Sequence, residues 1–282
     1  MNETIKLLHT RASCRAFADR PIPPEVLDAV LEAGVRAPTG GNLQPYSIIT
    51  VRNRAVASKL ASLCGDQPFI ARAPVNLLFC IDFHRGRRWA ELSDAPFTCN
   101  RAFRHFWIAF QDTIIAAQNI CVAADSAGLG SCYVGTVLEC FPELRSMFQL
   151  PQGVFPVVLL SLGYPDAELR RRGKFPQSII VHDEVYHDPS DEQLSAGLET
   201  KYQGKTLEAT DSRIEELARV CTAVGGPELA RRAVERVRRD GAINMAQYYF
   251  GLHYKADAMP ERNPKFIAQL RDAGIEIVED GR

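Results

Sequence analysis

A chain of 282 residues, 46% hydrophobic and 24% charged, is long enough to bury a sizeable core, and one large domain, or one domain with an appendage, is expected. Its net charge of -1 gives no global electrostatic reason to expect a nucleic-acid or anionic-membrane partner. Residues 1–10 lack an apolar stretch behind a basic leader, and no apolar run approaches the roughly 20 residues of a membrane span, so a cytoplasmic protein is expected.

The first feature along the chain is Arg11-Ala12-Ser13-Cys14-Arg15. Two permanently charged guanidinium forks around a hydroxyl suit a phosphate or another polar, delocalised ligand. The same run also reads as a solvated patch or as a helix start capped by Ser13. Cys14 lies between the arginines, which would lower its pKa and permit reactivity, or it is simply a neighbour of the clamp. The other seven of the eight cysteines form no Cys-x-x-Cys pair and have no His at ligand spacing, so no metal site is expected.

Pro24 opens a predicted helix over residues 24–36, with Val26, Leu27, Val30, Leu31 and Val35 on one face. Pro38 ends it and delivers the chain into Pro38-Thr39-Gly40-Gly41-Asn42-Leu43-Gln44-Pro45, a run whose glycines tolerate positive φ and whose main-chain N–H groups are free to face a ligand; a plain turn is the alternative. A strand over 46–51 and a short helix over 55–64 follow. Residues 74–81 form a nearly unbroken apolar run, the pattern of a strand buried on both faces. Residues 82–100 lack clear periodicity and read as a loop or short helix. Over 101–127, Phe106, Phe110, Ile114, Ala117, Cys121 and Ala124 make a stripe of more than six turns, a helix longer and more apolar than a surface helix. Gly128 and Gly130 stop that helix before a strand over 131–136, and 155–165 is a second central strand.

Arg170-Arg171-Arg172-Gly173-Lys174 follows, a charge run that by itself reads as a solvated loop. Asp188-Pro189-Ser190-Asp191 marks a boundary, with Ser190 able to cap a segment through Leu198. Residues 214–223 and 227–239 read as amphipathic helices. The latter carries five arginines, and a helix-turn-helix reading is opposed by the low overall charge and the lack of a separate core-sized domain. Residues 244–254 are rich in Tyr and Phe, and 266–278 reads as a helix followed by a short strand.

The order and spacing of these segments resemble the nitroreductase family of FMN-dependent oxidoreductases, over roughly residues 5–186. The resemblance implies an α+β fold, a three-layer α/β/α sandwich with a central mixed sheet, plus a mainly helical C-terminal extension. It divides the chain into an FMN-binding domain at 1–188 and an extension at 189–282 that caps the site or wraps a partner subunit. It also implies a homodimer with flavin at the interface. Arg11, Ala12, Ser13 and Arg15 would contact the FMN phosphate, ribityl or ring edge. Pro38, Thr39 and Gly40 would touch it through the backbone, with Asn42 and Gln44 adding polar contacts. Tyr133, Val134 and Gly135 would pass beside flavin N5, and Arg172 with Lys174 would help hold the phosphate. NADH or NADPH would supply hydride and a small acceptor such as a quinone or nitroaromatic would take it, in a ping-pong cycle. No protein nucleophile, base or metal is then required. Reductive dehalogenation, flavin fragmentation and a non-catalytic flavin-binding module are the alternatives.

Overall fold

A computed structural model describes residues 1–277. In chain order the elements begin with helices α1 (Glu3–Thr10) and α2 (Pro24–Val35), strand β1 (Tyr46–Val51) and helices α3 (Arg54–Leu63) and α4 (Pro68–Arg72). Strand β2 (Val75–Asp82), helix α5 (Phe83–Leu92), the long helix α6 (Phe103–Ser126), strand β3 (Gly130–Val134), helix α7 (Phe141–Phe148) and strand β4 (Val154–Gly163) follow. The chain divides into two compact units, residues 1–171 with those from Lys265 onward, and residues 172–264.

The first unit is built on a sheet of order β1-β2-β4-β3, in which every ladder is antiparallel. The mixed character expected of the sheet is confined, among the described residues, to one isolated parallel bridge between Ser13 and Ser131. β2 and β4 are buried at every position, as their nearly unbroken apolar sequences lead one to expect, with the buried Asn76 and Ser161 hydrogen-bonded to each other. Alternation then sends their side chains into two cores. Leu77, Phe79 and Ile81 meet Leu27, Val30, Ala117 and Ile120 of α2 and α6 on one face. Leu78 and Cys80 meet Leu60, Ile70 and Leu144 of α3, α4 and α7 on the other. These are the three layers.

α6 is the central helix of its layer, with nine buried positions in 24 residues. By length and composition it reaches the dimensions of a membrane-crossing helix, contrary to the expectation that no stretch comes near them. Its buried stripe is occupied by the sheet and α2. A Cβ at Gly34 would lie 2.5 Å from Ile120, so glycine lets α2 and α6 approach closely.

The second unit holds the short helix α8 (Gln177–Ile180), α9 (Asp191–Tyr202), the two-residue strands β5 (Leu207–Glu208) and β6 (Ala242–Ile243), and α10 (Asp211–Asp240). α9 starts on a capping box between Ser190 and Gln193, the cap expected from the sequence. The two helices expected over 214–239 are the arms of α10, separated by a kink at Gly226 (φ 76°) just before Pro227. Leu217, Val237 and Ile243 form this unit's core. The aromatic stretch after β6 is a π-helix, Gln247–His253, followed by α11 (Ala258–Glu261).

α12 (Asn263–Asp272) carries the chain back into the first unit. Phe266 meets Phe155 edge-on at 5.8 Å, Leu270 and Ile275 are buried, and Gly153 N–H donates to the Ala273 carbonyl at 2.6 Å. Residues 275–277 form no strand, and Val278, where the expected strand ends, lies outside the described residues.

Candidate active site

In the basic segment burial alternates, with Ala12 and Cys14 inside and Ser13 and Arg15 exposed. The pattern comes from docking on the start of β3, where Ser13 bridges Ser131 and Cys14 N–H donates to the Ser131 carbonyl at 2.8 Å. Cys14 is thus a core residue. A Cβ on Gly130 would come within 2.6 Å of Cys14 Cβ, and burial pushes the Cys14 thiol pKa up, which removes the reactive-thiolate alternative.

Arg11 turns to the last turns of α6. Its Nε donates to Cys121 Sγ at 3.1 Å and lies 3.6 Å from Asp125, and its Nη2 reaches Ser131 Oγ at 3.4 Å. Cys121 Sγ and Ser131 Oγ are 3.2 Å apart, and the guanidinium carbon is 5.9 Å from the centroid of the Tyr133 ring. Burial opposes the charge on Arg11, but Cys121 and Asp125 outweigh it and the pKa is raised. Burial lifts the Asp125 carboxyl to about 6, with Arg11 holding it down in part. Nη1 of Arg11 has no partner among the described residues, so the side chain is an oriented fork with one nitrogen to offer. Arg15 is exposed, 5.9 Å from the Phe69 ring.

At the far end of β3, Tyr133 is half-buried and its hydroxyl pKa is raised by burial, while Val134 is buried. Gly135 is exposed, and a Cβ built on it would meet nothing within 4 Å. The side of the backbone where a Cβ would stand is open there, while the Gly135 carbonyl accepts from Leu138 N–H at 3.2 Å. Thr136 is fixed behind it through the Cys64 carbonyl at 3.0 Å and Gln67 at 3.2 Å.

The loop at residues 38–44 has three left-handed residues, Gly41 (φ 60°), Asn42 (φ 56°) and Gln44 (φ 48°). Glycine and asparagine enter this region readily, so the strain falls on Gln44, whose conformation needs outside support. Gly40 N–H donates to both carboxylate oxygens of Asp112 on α6, each at 3.1 Å. Arg85 of α5 donates to the carbonyls of Gln44 and Tyr46, the latter at 2.7 Å. Within the loop, Thr39 Oγ1 accepts from Gln44 N–H at 3.2 Å, and the Gln44 amide caps the Val35 carbonyl at 3.0 Å. Gln44 is therefore spent locally, whereas Asn42 and Pro38 are exposed.

A cleft of about 450 Å³ opens beside the loop, walled by Leu43, Trp89, Phe97 and Ile108 and reached by Arg85 and Asp112. The clamp and the loop are not side by side in one chain. Arg11 engages α6 at Cys121 and Gly40 engages it at Asp112, nine residues and about 13 Å apart at 1.5 Å per residue. Arg172 and Lys174 belong to the second unit, where both are exposed and Gly173 packs so closely on α9 that a Cβ would overlap the Lys201 carbonyl.

Sequence reasoning missed Asp112, Arg85 and Asp82. Asp82 caps α5 by accepting from Arg85 N–H at 2.9 Å and also accepts from the Ser47 hydroxyl. The readable signal was Asp112, a lone acid in the middle of a long, largely apolar helix, because a buried carboxylate requires a donor.

The layered sheet is that of a flavin-enzyme family, for the model of the nitroreductase family matches residues 8–164; the chain belongs to that family. Among its relatives, an FMN reductase [NAD(P)H] of Bacillus subtilis strain 168 is 34% identical over 215 residues, covering 73% of this chain and 86% of that protein. An oxygen-insensitive NADPH nitroreductase of Salmonella typhimurium is 31% identical over 196 residues, 70% of this chain and 79% of the relative. The solved structure of NfrA2 from B. megaterium superposes with a TM-score of 0.76 at 25% identity, over 99% of this chain and all (100%) of that one.

Proposed function

We propose that this chain is an NAD(P)H-dependent flavin oxidoreductase that holds FMN and works on small molecules. The observation that carries the reading is the open space at Gly135, one residue past the strand whose first residues anchor Arg11 and Ser13. An outward hydroxyl, an oriented cation and open space beside the backbone suit a ligand with a flat polar ring and an anionic tail. The two-electron chemistry, hydride uptake from NADH or NADPH and delivery to a quinone or nitroaromatic in alternate half-reactions, is supplied by the cofactor when bound.

In this reading Tyr133, Val134 and Gly135 present their backbone to the reacting edge of the ring. Arg11, Ala12, Ser13 and Arg15 hold ribityl and phosphate, and Arg15 offers positive charge to an anionic ring. Arg172 and Lys174 are proposed as phosphate partners on the family resemblance alone. Pro38, Thr39, Gly40, Asn42 and Gln44 form the second wall. The separation of clamp and loop along α6 supports a homodimeric site, in which the loop of one copy faces the clamp of another.

Purified protein is expected to be yellow, to retain or take up FMN, and to oxidise NADH or NADPH steadily when given a quinone or nitroaromatic. A protein that neither retains nor binds FMN would falsify the reading. Tight FMN without turnover on any acceptor would make it a flavin-binding module instead.

A further inference from the structure

We infer that Asp112 and Arg85 are positioning residues that hold the 38–44 loop in its left-handed conformation and so set how tightly the flavin is gripped. The inference rests on the proposal that this loop meets FMN, and it concerns two residues that touch the loop from outside.

Asp112 is only 4% exposed and stands among the buried positions of α6 beside Ala109, Thr113 and Ala116, where a carboxylate is costly unless donors reach it. The donor it has is the main-chain N–H of Gly40, shared between both oxygens at 3.1 Å. The same geometry explains the glycine, since a Cβ at position 40 would lie 2.9 Å from Ile108 Cγ2. Arg85 grips the other end of the loop through the Gln44 and Tyr46 carbonyls, and is itself oriented by Asp82 at 3.5 Å and Ser47 at 3.2 Å. Between the two anchors lie all three left-handed residues. A loop held at both ends keeps otherwise unfavourable backbone angles, and it enters the site without ordering on arrival of the ligand.

Asp112→Ala leaves the Gly40 N–H without its acceptor, and FMN is expected to bind about tenfold more weakly or worse. Asp112→Asn restores one acceptor oxygen and is expected to stay within about threefold of the wild type. Arg85→Ala, on an exposed face of α5, tests the second anchor without opening the core. Hydrogen exchange over residues 39–47 in the FMN-free protein is expected to quicken in Asp112→Ala and Arg85→Ala, while exchange in β2 and β4 is unchanged. Should Asp112→Ala fail to fold, Arg85→Ala and Asp112→Asn carry the test.

Unchanged loop exchange with unchanged FMN affinity in both anchor variants overturns the inference while leaving the flavin reading intact. Weakened FMN binding in Asp112→Asn equal to that in Asp112→Ala also overturns it, because a lost acceptor would then not be the cause. A wild type that takes up no FMN overturns the flavin reading and, with it, the claim about grip.

Discussion

Arg11 shows how a permanent charge is fitted into a half-buried site. Its Nε and Nη2 are committed to Cys121, Asp125 and Ser131, which fixes the orientation of the fork. The cost falls on Asp125, whose carboxyl is lifted to about 6 by burial. A folded-state pKa above the unfolded value means that the folded protein binds the proton more tightly. Asp125 therefore favours folding at pH 4 and loses that contribution as pH rises from about 4 to about 6. Urea midpoints of the wild type measured between pH 4 and 7 are expected to carry this downward component, and Asp125→Asn to flatten it. Asp112, raised in the same direction by burial, leaves a residual slope in the variant. An unaltered slope in Asp125→Asn would show that Arg11 keeps the carboxylate ionised throughout.

Among the elements, α12 packs on partners far away in the chain. Leu270 is 2% exposed within the core that contains Phe155 and Ala273, and Arg145 donates to the Asp272 carbonyl at 2.8 Å. Leu270→Ala is expected to destabilise the first unit by about 3 kcal/mol, read as a lowered denaturation midpoint with the flavin-independent fold otherwise intact. Such a helix was only half legible in the sequence. Its periodicity showed, but nothing local said that it would return to a sheet whose last strand ends a hundred residues earlier. β2 and β4 were legible because burial on both faces leaves a nearly unbroken apolar signature. α1 was missed because none of its residues is buried, so the packing stripe that marks a helix is absent. The site divides in the same way. Arg11, Ser13 and the 38–44 loop announced themselves through residue type, whereas their supports lie 110 residues away at Cys121 and 72 residues away at Asp112, beyond any local pattern.

Across the whole molecule, the first half of α6 leaves an aromatic face uncovered. Phe103 and Trp107 are more than half exposed, and the Trp107 ring stacks on Phe110 at 5.9 Å. Leu43 and Trp89 beside the cleft are exposed as well. Large apolar side chains gathered in this way are the usual mark of an interface. Light scattering is expected to give the mass of a dimer, and Trp107→Glu to shift it towards monomer and weaken FMN retention together. A wild type that is monomeric at micromolar concentration while still holding FMN would count against a shared site.

The return of α12 gives the second unit a particular covalent status. It is an insertion spliced between β4 and the final helix, not a tail hung from the end of the chain. A peptide bond cut within it would release no free fragment, because the downstream piece stays docked through the Phe155 contact and the Gly153 and Arg145 hydrogen bonds. Growth or replacement of that stretch is likewise constrained at two points of attachment, and a deletion from the C-terminus would strip the first unit's core before it reached the insertion.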